Sequence, residues 1–509
     1  MERLGPGLII AGSIVGSGEL IATTKTGAES GFWLLWLIIL GCVIKVFVQV
    51  ELGRDAVVRG KTTMDALAEV PGPSLRGRGN WLVWYFFLMF FASLAQLGGI
   101  VGSVGQAMAI SAPITSFSRL ENQRNDIDTK LFVNKAEQNI AKAKPASEET
   151  DAQLKALAAE KVELEAKLAA LPPLPEERPW WTDDKIWATI LAVFTSVLLV
   201  LGRYTLIQTV TPALVAAFTL MTVVTVTMLQ TTASWAIHWE DLKNGLSFQL
   251  PPAVEGKAST GFATALMTFG IIGVGASELI SYPYWCLEKG YAKFTGNNDG
   301  SNSWAARATG WMRVMRWDAW CSMIVYTIAT IAFYLLGAAV LGRAQLNPSN
   351  ESLVRTLNVM YEPVFGSWAP ILFLVGAFAV LYSTYFVACA GHARVFSDAL
   401  RVIGLASNDE KAVNARVKFL SGFLPMFCLA LFFIWPKEPQ KLVLISGMMQ
   451  AFMLPMLAAA ALYFRFARCD SRIAPGKAWD FFLILSSIGM LITAGCLIYI
   501  QLRKANIVS

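Results

Sequence analysis

Long apolar runs dominate the chain, and they constrain its fold more than any other feature. About twenty apolar residues in a helix match the thickness of a bilayer, and a helix satisfies its own backbone hydrogen bonds there. Hydrophobic residues make up 55% of the chain and charged residues only 15%, whereas a soluble domain has about 25% charged residues. The sequence therefore predicts an all-α polytopic membrane protein with about eleven transmembrane helices. Spans one to eleven are expected near residues 4–24, 31–52, 81–111, 186–202, 204–229, 258–287, 318–342, 367–391, 417–435, 440–464 and 479–502.

Basic residues concentrate in alternate loops, and their distribution sets the predicted orientation. Loops on the cytoplasmic side of membrane proteins carry an excess of Lys and Arg, and here the loops after spans two, six, eight and ten carry it. We therefore expect a multi-pass protein of the bacterial cytoplasmic membrane, with a cytoplasmic N-terminus and an extracytoplasmic C-terminus. The basic residues of these loops are Arg54, Arg59, Lys61, Arg76, Arg78, Lys289, Lys293, Arg307, Arg313, Arg316, Arg394, Arg401, Lys411, Arg416, Lys418, Arg465, Arg468, Arg472 and Lys477.

Residues 113–184 interrupt the membrane pattern and divide the chain into 1–112, this insertion and 185–509. The insertion is rich in Ala, Glu and Lys, and its leucines recur at the heptad spacing of packed helices, with a break at Lys144-Pro145. It is predicted to be an extracytoplasmic helical hairpin that either serves a protein partner or self-assembly or is a solvated appendage. The leucines with this spacing are Leu154, Leu157, Leu164, Leu168 and Leu171.

An internal repeat is the most informative feature of the membrane part. The sequence VGSGELI at 15–21 in span one matches VGASELI at 274–280 in span six at five of seven positions. Five spans separate the two copies, so they cross the membrane in opposite directions. Inverted repeats of this kind are typical of secondary transporters, which bind substrate near the bilayer midplane where paired helices are interrupted.

The two copies supply the candidate binding site. Their small residues disfavour a continuous helix, and backbone groups released there can coordinate ions. Each copy also carries a carboxylate in mid-span, Glu19 or Glu278, and an ionisable residue at that depth indicates function. Close helix packing by the small residues and simple burial of each Glu are the alternatives. The other candidate ion-binding residues are Gly16, Ser17, Gly18, Val274, Gly275 and Ser277.

Three motifs resemble the Nramp family of divalent-metal transporters. GPGLIIAGSIVGSGE at 5–19 is similar to the first helix of that family, and FGIIGVGASELI at 269–280 is similar to its sixth. CAGHARVFSDAL at 389–400 resembles the end of its eighth helix, and eleven spans is a common number in the family. The resemblance covers nearly the whole chain except 113–184. It implies a LeuT-like fold, an inverted five-helix repeat with helices one and six broken at the site.

The resemblance also shows where this chain departs from the family in span one. The family's metal-binding Asp falls on Gly16, its Pro on Ser17 and its Asn on Glu19, while its Gly is kept as Gly18. The position of the break is therefore retained and its side chains are exchanged.

In span six the family's Met falls on Ser277, and its Pro and His fall on Glu278 and Leu279. Without the Met thioether, which favours softer metals, the ligands offered by the two breaks are oxygens, and these suit Mg²⁺, Ca²⁺ or Mn²⁺. The sequence therefore predicts a divalent-cation transporter, with Glu19 and Glu278 as metal ligands and H⁺ or Na⁺ as the coupling ion. No cofactor is expected, since the cation is cargo.

Two other functions remain open at this stage. The same fold houses sodium-coupled symporters of amino acids and other organic solutes, in which hydroxyls such as those of Ser383 and Thr384 in span eight could contact sodium. A non-transporting relative is the third possibility. Gln450 and His392 could line an ion pathway, and Lys45 is interpreted as a side chain that reaches the cytoplasmic interface. No catalytic set or phosphate loop is present, so neither an enzyme nor a nucleic-acid partner is expected; the predicted partners are lipid and the transported cation.

Overall fold

Each predicted apolar segment contains helix in the computed structural model of the protein, which describes residues 14–75, 78–143, 148–175, 177–202, 204–232, 234–252, 260–348, 353–436 and 438–505. Within these ranges the regular structure is helical apart from one isolated bridge between Ser74 and Asn80. The all-α class is therefore confirmed. Predictions that concern residues 4–13, Arg76 and the break at Lys144-Pro145 fall outside the described residues.

The helices follow the predicted spans closely, and spans one and six are irregular. Among the described residues, seven helices, in spans two, three and seven to eleven, are long and apolar enough to cross a membrane. The helices of the spans are, in order, Gly18–Thr23 with Thr24–Ser30, Leu35–Val43 with Lys45–Arg59, Trp81–Ser111, Asp183–Val200, Tyr204–Met228, Thr260–Phe269 with Ala276–Glu288, Asn302–Leu336 with Gly337–Gly342, Ala369–Val402, Glu410–Ile434, Pro439–Tyr463 with Phe464–Arg468, and Lys477–Lys504. The shorter helices between them are Thr63–Ala68, Trp239–Gly245, Tyr291–Thr295, Leu353–Asn358 and Glu362–Phe365.

Span two is longer than predicted. Its helix runs to Arg59, so Arg54 lies in the helix and not in the following loop. Arg54 is only 5% exposed, because its guanidinium pairs with Glu51 one turn earlier (3.1 Å) and donates to the carbonyl oxygen of Ile473 (2.9 Å). A charged residue can continue an apolar helix when its charge is paired in this way.

The spans pack as two groups. Spans one, two, six and seven contact one another, and spans three, four, eight and nine form the second group. Span ten contacts spans three and six and so joins the two groups, and span five packs against spans seven and eight. The irregular parts of spans one and six thus lie in the interior, surrounded by regular helices.

The four basic loops lie on one face, as the charge pattern predicted. Arginines of the loops after spans eight and ten pair with an acidic residue or a carbonyl group of the loops after spans two and six. This arrangement places the loops after spans two, six, eight and ten on the same side of the membrane. The contacts that join them are Asp65–Arg401 (2.6 Å), Glu69–Arg468 (3.3 Å) and the Arg472 guanidinium to the carbonyl oxygen of Gly300 (2.6 Å).

The insertion forms two helices, Ser116–Ala143 and Glu148–Ala170, which pack against each other. Of the predicted seam, Leu157 and Leu164 are each 7% exposed. The hairpin is held at its base by Asp183, whose carboxylate accepts hydrogen bonds from the backbone N–H groups of Ile114 (2.5 Å) and Thr115 (3.2 Å). A role in assembly stays a prediction.

The hairpin also contacts the membrane part of the chain. Arg355, which lies between spans seven and eight, donates to Asp126 and Asn122 of the first hairpin helix. A cavity of about 830 Å³ lies beneath the hairpin and is lined by Asp126, Lys130, Glu137, Arg355 and Glu362, among others. The hairpin is therefore packed over the ends of spans seven and eight and does not stand free.

Glu362 gives this contact a pH dependence. Burial raises the pKa of Glu362 to about 7, with Lys130 opposing the shift and Asp126 and Glu137 adding to it. The folded state holds the proton of Glu362 more tightly than the unfolded state does. The contribution of this group to the stability of the folded state is therefore fully present below about pH 4.5 and is lost as the pH rises through about 7.

We expect Glu362→Gln to reduce the loss of stability that accompanies a rise in pH, because the neutral amide has no charge to bury. The measurement is the melting temperature of detergent-purified protein at pH 5 and pH 8. Glu165→Gln, on the exposed side of the hairpin, is the control and should melt as the wild type does. An unchanged pH profile in Glu362→Gln would contradict the assignment.

Candidate functional site

Span one is irregular where the sequence places its Gly-Ser-Gly. Val15 and Gly16 form a turn, and Gly18–Thr23 is a wide π-helix that continues as the α-helix Thr24–Ser30. Two threonine hydroxyls satisfy carbonyl groups of the wide turn: Thr23 donates to Gly18 (3.0 Å) and Thr26 to Ala22 (2.8 Å). π-helical turns of this kind are frequent at functional sites.

Span six is fully interrupted. Its first half, Thr260–Phe269, and its second half, Ala276–Glu288, are separated by the non-helical residues 270–275. Gly273 has a φ of +57°, which glycine adopts without strain. A Cβ at Gly270 would lie 1.9 Å from the carbonyl oxygen of Gly447 in span ten. The glycines therefore permit both the turn of the chain and the close approach of span ten.

Glu19 connects the two breaks. Its side chain has no exposed surface. The carboxylate accepts a hydrogen bond from the N–H of Gly16 in its own span (3.1 Å) and another from the N–H of Gly273 in the break of span six (3.2 Å). The Thr330 hydroxyl of span seven donates to it at 3.4 Å. The predicted pair of breaks thus meets at this carboxylate.

Lys45 is the residue whose role the sequence reading missed. Its ammonium group does not reach the interface: the side chain is 0% exposed and donates to the carbonyl oxygens of Phe269 and Ile272 (2.7 Å to the latter) in the break of span six. It also lies 4.7 Å from the centre of the Phe269 ring. The sequence contains one sign of this role: Lys45 stands in an apolar run, and no acidic residue that could pair with it lies within five positions on either side.

A chain of polar side chains links the two breaks through spans three and ten. Gln96 Nε2 donates to the Ser17 hydroxyl (3.0 Å), and Gln450 Nε2 donates to Gln96 Oε1 (3.1 Å). Gln450 Oε1 then accepts from the N–H of Ser277 (3.1 Å). Ser446 of span ten adds a further bond to Gln96 Oε1 (2.8 Å). Among the candidate pathway residues, Gln450 therefore lies in the site.

Glu278 lies in the first turn of the second half of span six. A Cβ on Gly275 would lie 2.5 Å from its Oε2 atom, so the carboxylate folds back over the break. Glu278 and His392 line the same small cavity of about 10 Å³, together with Ser277, Ser281 and Trp285. His392 is thus next to the site and not remote from it.

The two carboxylates are near each other without forming one ligand set. The described hydrogen bonds and ion pairs include none between Glu19 and Glu278, and no group of three or more His, Cys, Asp or Glu that could hold a metal occurs in the described part of the chain. Metal binding by Glu19 and Glu278, with the backbone of Gly16, Gly18 and Val274, stays a prediction.

Ser383 and Thr384 lie in the middle of span eight, and Thr384 lies opposite the break in span one. Both hydroxyls donate to the carbonyl oxygen of Val380 in their own helix (2.9 and 3.1 Å). A Cβ on Gly16 would lie 2.0 Å from the Thr384 hydroxyl oxygen. Thr384 therefore packs against span one at the predicted place, while the described bonds of both residues are those of ordinary helix hydroxyls.

Comparison with known proteins agrees with this geometry. The family model described as Nramp, natural resistance-associated macrophage protein-like, matches residues 181–499. No curated protein matches the chain. A crystal structure of the Eremococcus coleocola manganese transporter mutant H236A is similar with a TM-score of 0.54 and 14% identity, over 99% of this chain and 86% of that one.

Two further solved structures share the fold. MhsT in complex with L-phenylalanine has a TM-score of 0.50 and 15% identity, over 97% of each chain. The nucleobase-cation-symport-1 transporter Mhp1, closed with bromovinylhydantoin bound, has a TM-score of 0.50 and 12% identity, over 99% of this chain and 94% of that one. The LeuT-like fold with broken helices one and six is therefore confirmed.

The polar chain generates a prediction about stability. Gln96→Leu keeps the approximate size of the side chain and removes three described hydrogen bonds. Interhelical hydrogen bonds in membrane proteins contribute about 0.6 kcal/mol each, so we expect a loss of about 2 kcal/mol, seen as a melting temperature lowered by a few degrees.

The matched control is Gln106→Leu on the same helix. Gln106 is 7% exposed and its Oε1 atom accepts no hydrogen bond, so this change should cost less or be neutral. Equal melting temperatures for the two variants would contradict a bridging role of Gln96.

Proposed function

Because this chain belongs to the Nramp family, a family of membrane transporters and not of enzymes, we propose that it moves a divalent cation of the Mg²⁺, Mn²⁺ or Ca²⁺ class across the membrane by alternating access. Membership makes the chain an integral membrane protein that transports a metal ion. The proposal adds the class of cation and places its site at the breaks of spans one and six. The solved Eremococcus coleocola relative is a manganese transporter by its description.

The observation that carries the proposal is the position of Glu19. The buried carboxyl group accepts N–H donors from both breaks, so its ionised form would place a negative charge at the junction of the two interrupted spans. A buried charge needs a partner, and a cation that entered between Gly16–Glu19 and Val274–Glu278 would provide one. Glu278 in the first turn beyond the break would contribute the second carboxylate.

The chemistry of the two breaks favours a hard cation. Residues 14–24 and 269–280 contain no Cys, Met or His, so side chains and carbonyl groups there offer oxygen alone. Mg²⁺, Ca²⁺ and Mn²⁺ take oxygen ligands. Ser17 and Ser277, which stand two positions and one position before the glutamate of their respective copies, would complete the ligand set.

Alternating access would separate the contacts that now join the two groups of spans. Gln96 and Gln450 tie the breaks to spans three and ten, and Thr384 of span eight packs against Gly16. Binding of an ion by Glu19 would compete with its bonds to Gly16 and Gly273, so occupancy of the site would loosen spans one and six from each other. We propose H⁺ or Na⁺ as the coupling ion, and no cofactor.

The proposed orientation places the four basic loops in the cytoplasm of a bacterium and the hairpin outside, where it could meet a protein partner or a second copy. The shared face of those loops supports this orientation, because their positive charge favours the cytoplasmic side. The cavity that joins Glu278 to His392 would then lie on the cytoplasmic side of the break.

We expect Glu19→Gln to lower uptake of Mn²⁺, Mg²⁺ or Ca²⁺ into proteoliposomes by more than about tenfold, since the amide cannot offset the charge of a buried ion. Glu278→Gln should also lower uptake. Uptake is followed with a trapped metal-sensitive dye, and competition among the three ions ranks them.

Glu29→Gln is the matched control. Glu29 lies in the same span, pairs with Lys25 (2.9 Å) and accepts from Thr264 (2.6 Å), away from the breaks. Its uptake should match that of the wild type. Wild-type uptake in Glu19→Gln, or uptake of an organic solute in place of any divalent ion, would overturn the proposal.

A further inference from the structure

Lys45 places a covalently attached cation inside the transport site. It lies in the second helix of span two, which begins at Lys45, and neighbouring residues Val46 and Val48 are fully buried apolar side chains. A buried ammonium group needs a partner with negative charge or strong dipoles. The partners here are backbone groups of span six.

Three groups surround the ammonium. The carbonyl oxygens of Phe269 and Ile272 accept its hydrogen bonds, and the face of the Phe269 ring lies 4.7 Å away. Phe269 is the last residue of the first half of span six, and the C-terminal end of a helix carries partial negative charge. Carbonyls at such half-helix ends are the groups that coordinate Na⁺ in transporters with broken helices.

A single peptide group connects Lys45 with Glu19. Lys45 donates to the carbonyl oxygen of Ile272 (2.7 Å), and the N–H of the same peptide, that of Gly273, donates to Glu19 Oε1 (3.2 Å). The ammonium therefore binds the carbonyl oxygen, and the carboxylate the N–H group, of one peptide. Because Gly273 has a positive φ, this plane takes an orientation that the helix itself would not supply.

We propose that Lys45 is a resident cation: its ammonium permanently holds the carbonyl end of the first half of span six, in the place of a freely bound Na⁺ or K⁺, and orients the peptide that positions Glu19. Lys45 is thus a positioning residue. This inference rests on the proposed function in one respect: binding of a divalent cation at Glu19 and Glu278 then requires no inorganic monovalent cation, so that H⁺ is the one of the two proposed coupling ions that fits it.

The test is the response of protein stability to monovalent cations. Melting temperatures are measured for the detergent-purified wild type and for Lys45→Ala in choline, Na⁺, K⁺ and methylammonium chloride at equal ionic strength, without divalent ions. The wild type should melt at the same temperature in all four salts. Lys45→Ala should melt several degrees lower in choline and recover in methylammonium, and in part in Na⁺ or K⁺.

Lys25→Met is the matched control. Lys25 is also buried, at 6% exposed, but it pairs with Glu29 (2.9 Å) and with Asn347 (2.7 Å) outside the break. Its loss should lower stability equally in every salt. Lys45→Gln, which keeps an N–H donor and loses the charge, provides a second variant and should show the same salt dependence as Lys45→Ala.

Two results would overturn the inference. One is stabilisation of the wild type by Na⁺ or K⁺ relative to choline, because the Lys45 ammonium would then not fill the cation position at the end of the first half of span six. This measurement uses the wild type alone and does not require any variant to fold. The other is a Lys45 variant that melts identically in choline and methylammonium. Neither result depends on metal transport, so a failure here is distinct from a failure of the Glu19→Gln uptake experiment.

A binding measurement then addresses the transport site. Mn²⁺ binding by the wild type should be equal in choline and in Na⁺, whereas Lys45→Ala should bind Mn²⁺ more weakly in choline than in methylammonium, by about tenfold or more. Equal Mn²⁺ affinity of Lys45→Ala in choline and in methylammonium would contradict the proposal that Lys45 positions Glu19. Absence of Mn²⁺, Mg²⁺ and Ca²⁺ binding in the wild type would instead count against the proposed function and leave the stability result standing.

Discussion

The peptide group between Ile272 and Gly273 is the constraint on which the site depends. A helix that stops in the middle of a membrane releases N–H and C=O groups that hydrocarbon cannot satisfy. Here one released carbonyl is held by the Lys45 ammonium and the adjoining N–H by the Glu19 carboxylate. Both ionisable groups are buried, and the peptide between them gives each a hydrogen-bond partner of suitable polarity. The break in span six, the burial of Lys45 and the burial of Glu19 are therefore one arrangement, because one peptide group of the break is a hydrogen-bond partner of both side chains.

The inverted repeat explains why polar residues of spans two and seven take part. Spans two and seven occupy equivalent places in the two copies, and each reaches the break of the opposite copy: Lys45 contacts span six, and Thr330 contacts Glu19 of span one. Spans three and eight are also equivalent, and they bring Gln96 to Ser17 and Thr384 to Gly16. Spans two and seven thus hold the two breaks in an equivalent way, whereas Gln96 of span three and Thr384 of span eight both contact the break of span one. Span ten adds a link of its own, because Gln450 binds both Gln96 and Ser277.

The sequence predicted the helices and the breaks well, because apolar length and small-residue clusters are local properties. It singled out Glu19 and Glu278 as candidate site residues because a repeated motif marked them. It misplaced Lys45, since nothing near position 45 shows that a carbonyl pair 224 and 227 residues away is within reach. It also ended span two too early, because the ion pair of Arg54 with Glu51 only has meaning once the helix is formed. The small cavity that Glu278 and His392 both line is likewise a product of packing, since these residues belong to different spans.

The exchange of side chains relative to the family is compatible with the retained fold for a physical reason. The contacts that fix the breaks are made by backbone: Gly270 approaches the carbonyl oxygen of Gly447, Gly273 adopts a positive φ, and Lys45 binds carbonyl oxygens. None of these depends on which side chain stands at positions 16, 17, 277 or 279. The ligand set can therefore change while the interruption stays in place. Glu19 is the exception, because its side chain binds the backbone of both breaks, so this one residue serves the geometry of the site and its charge together.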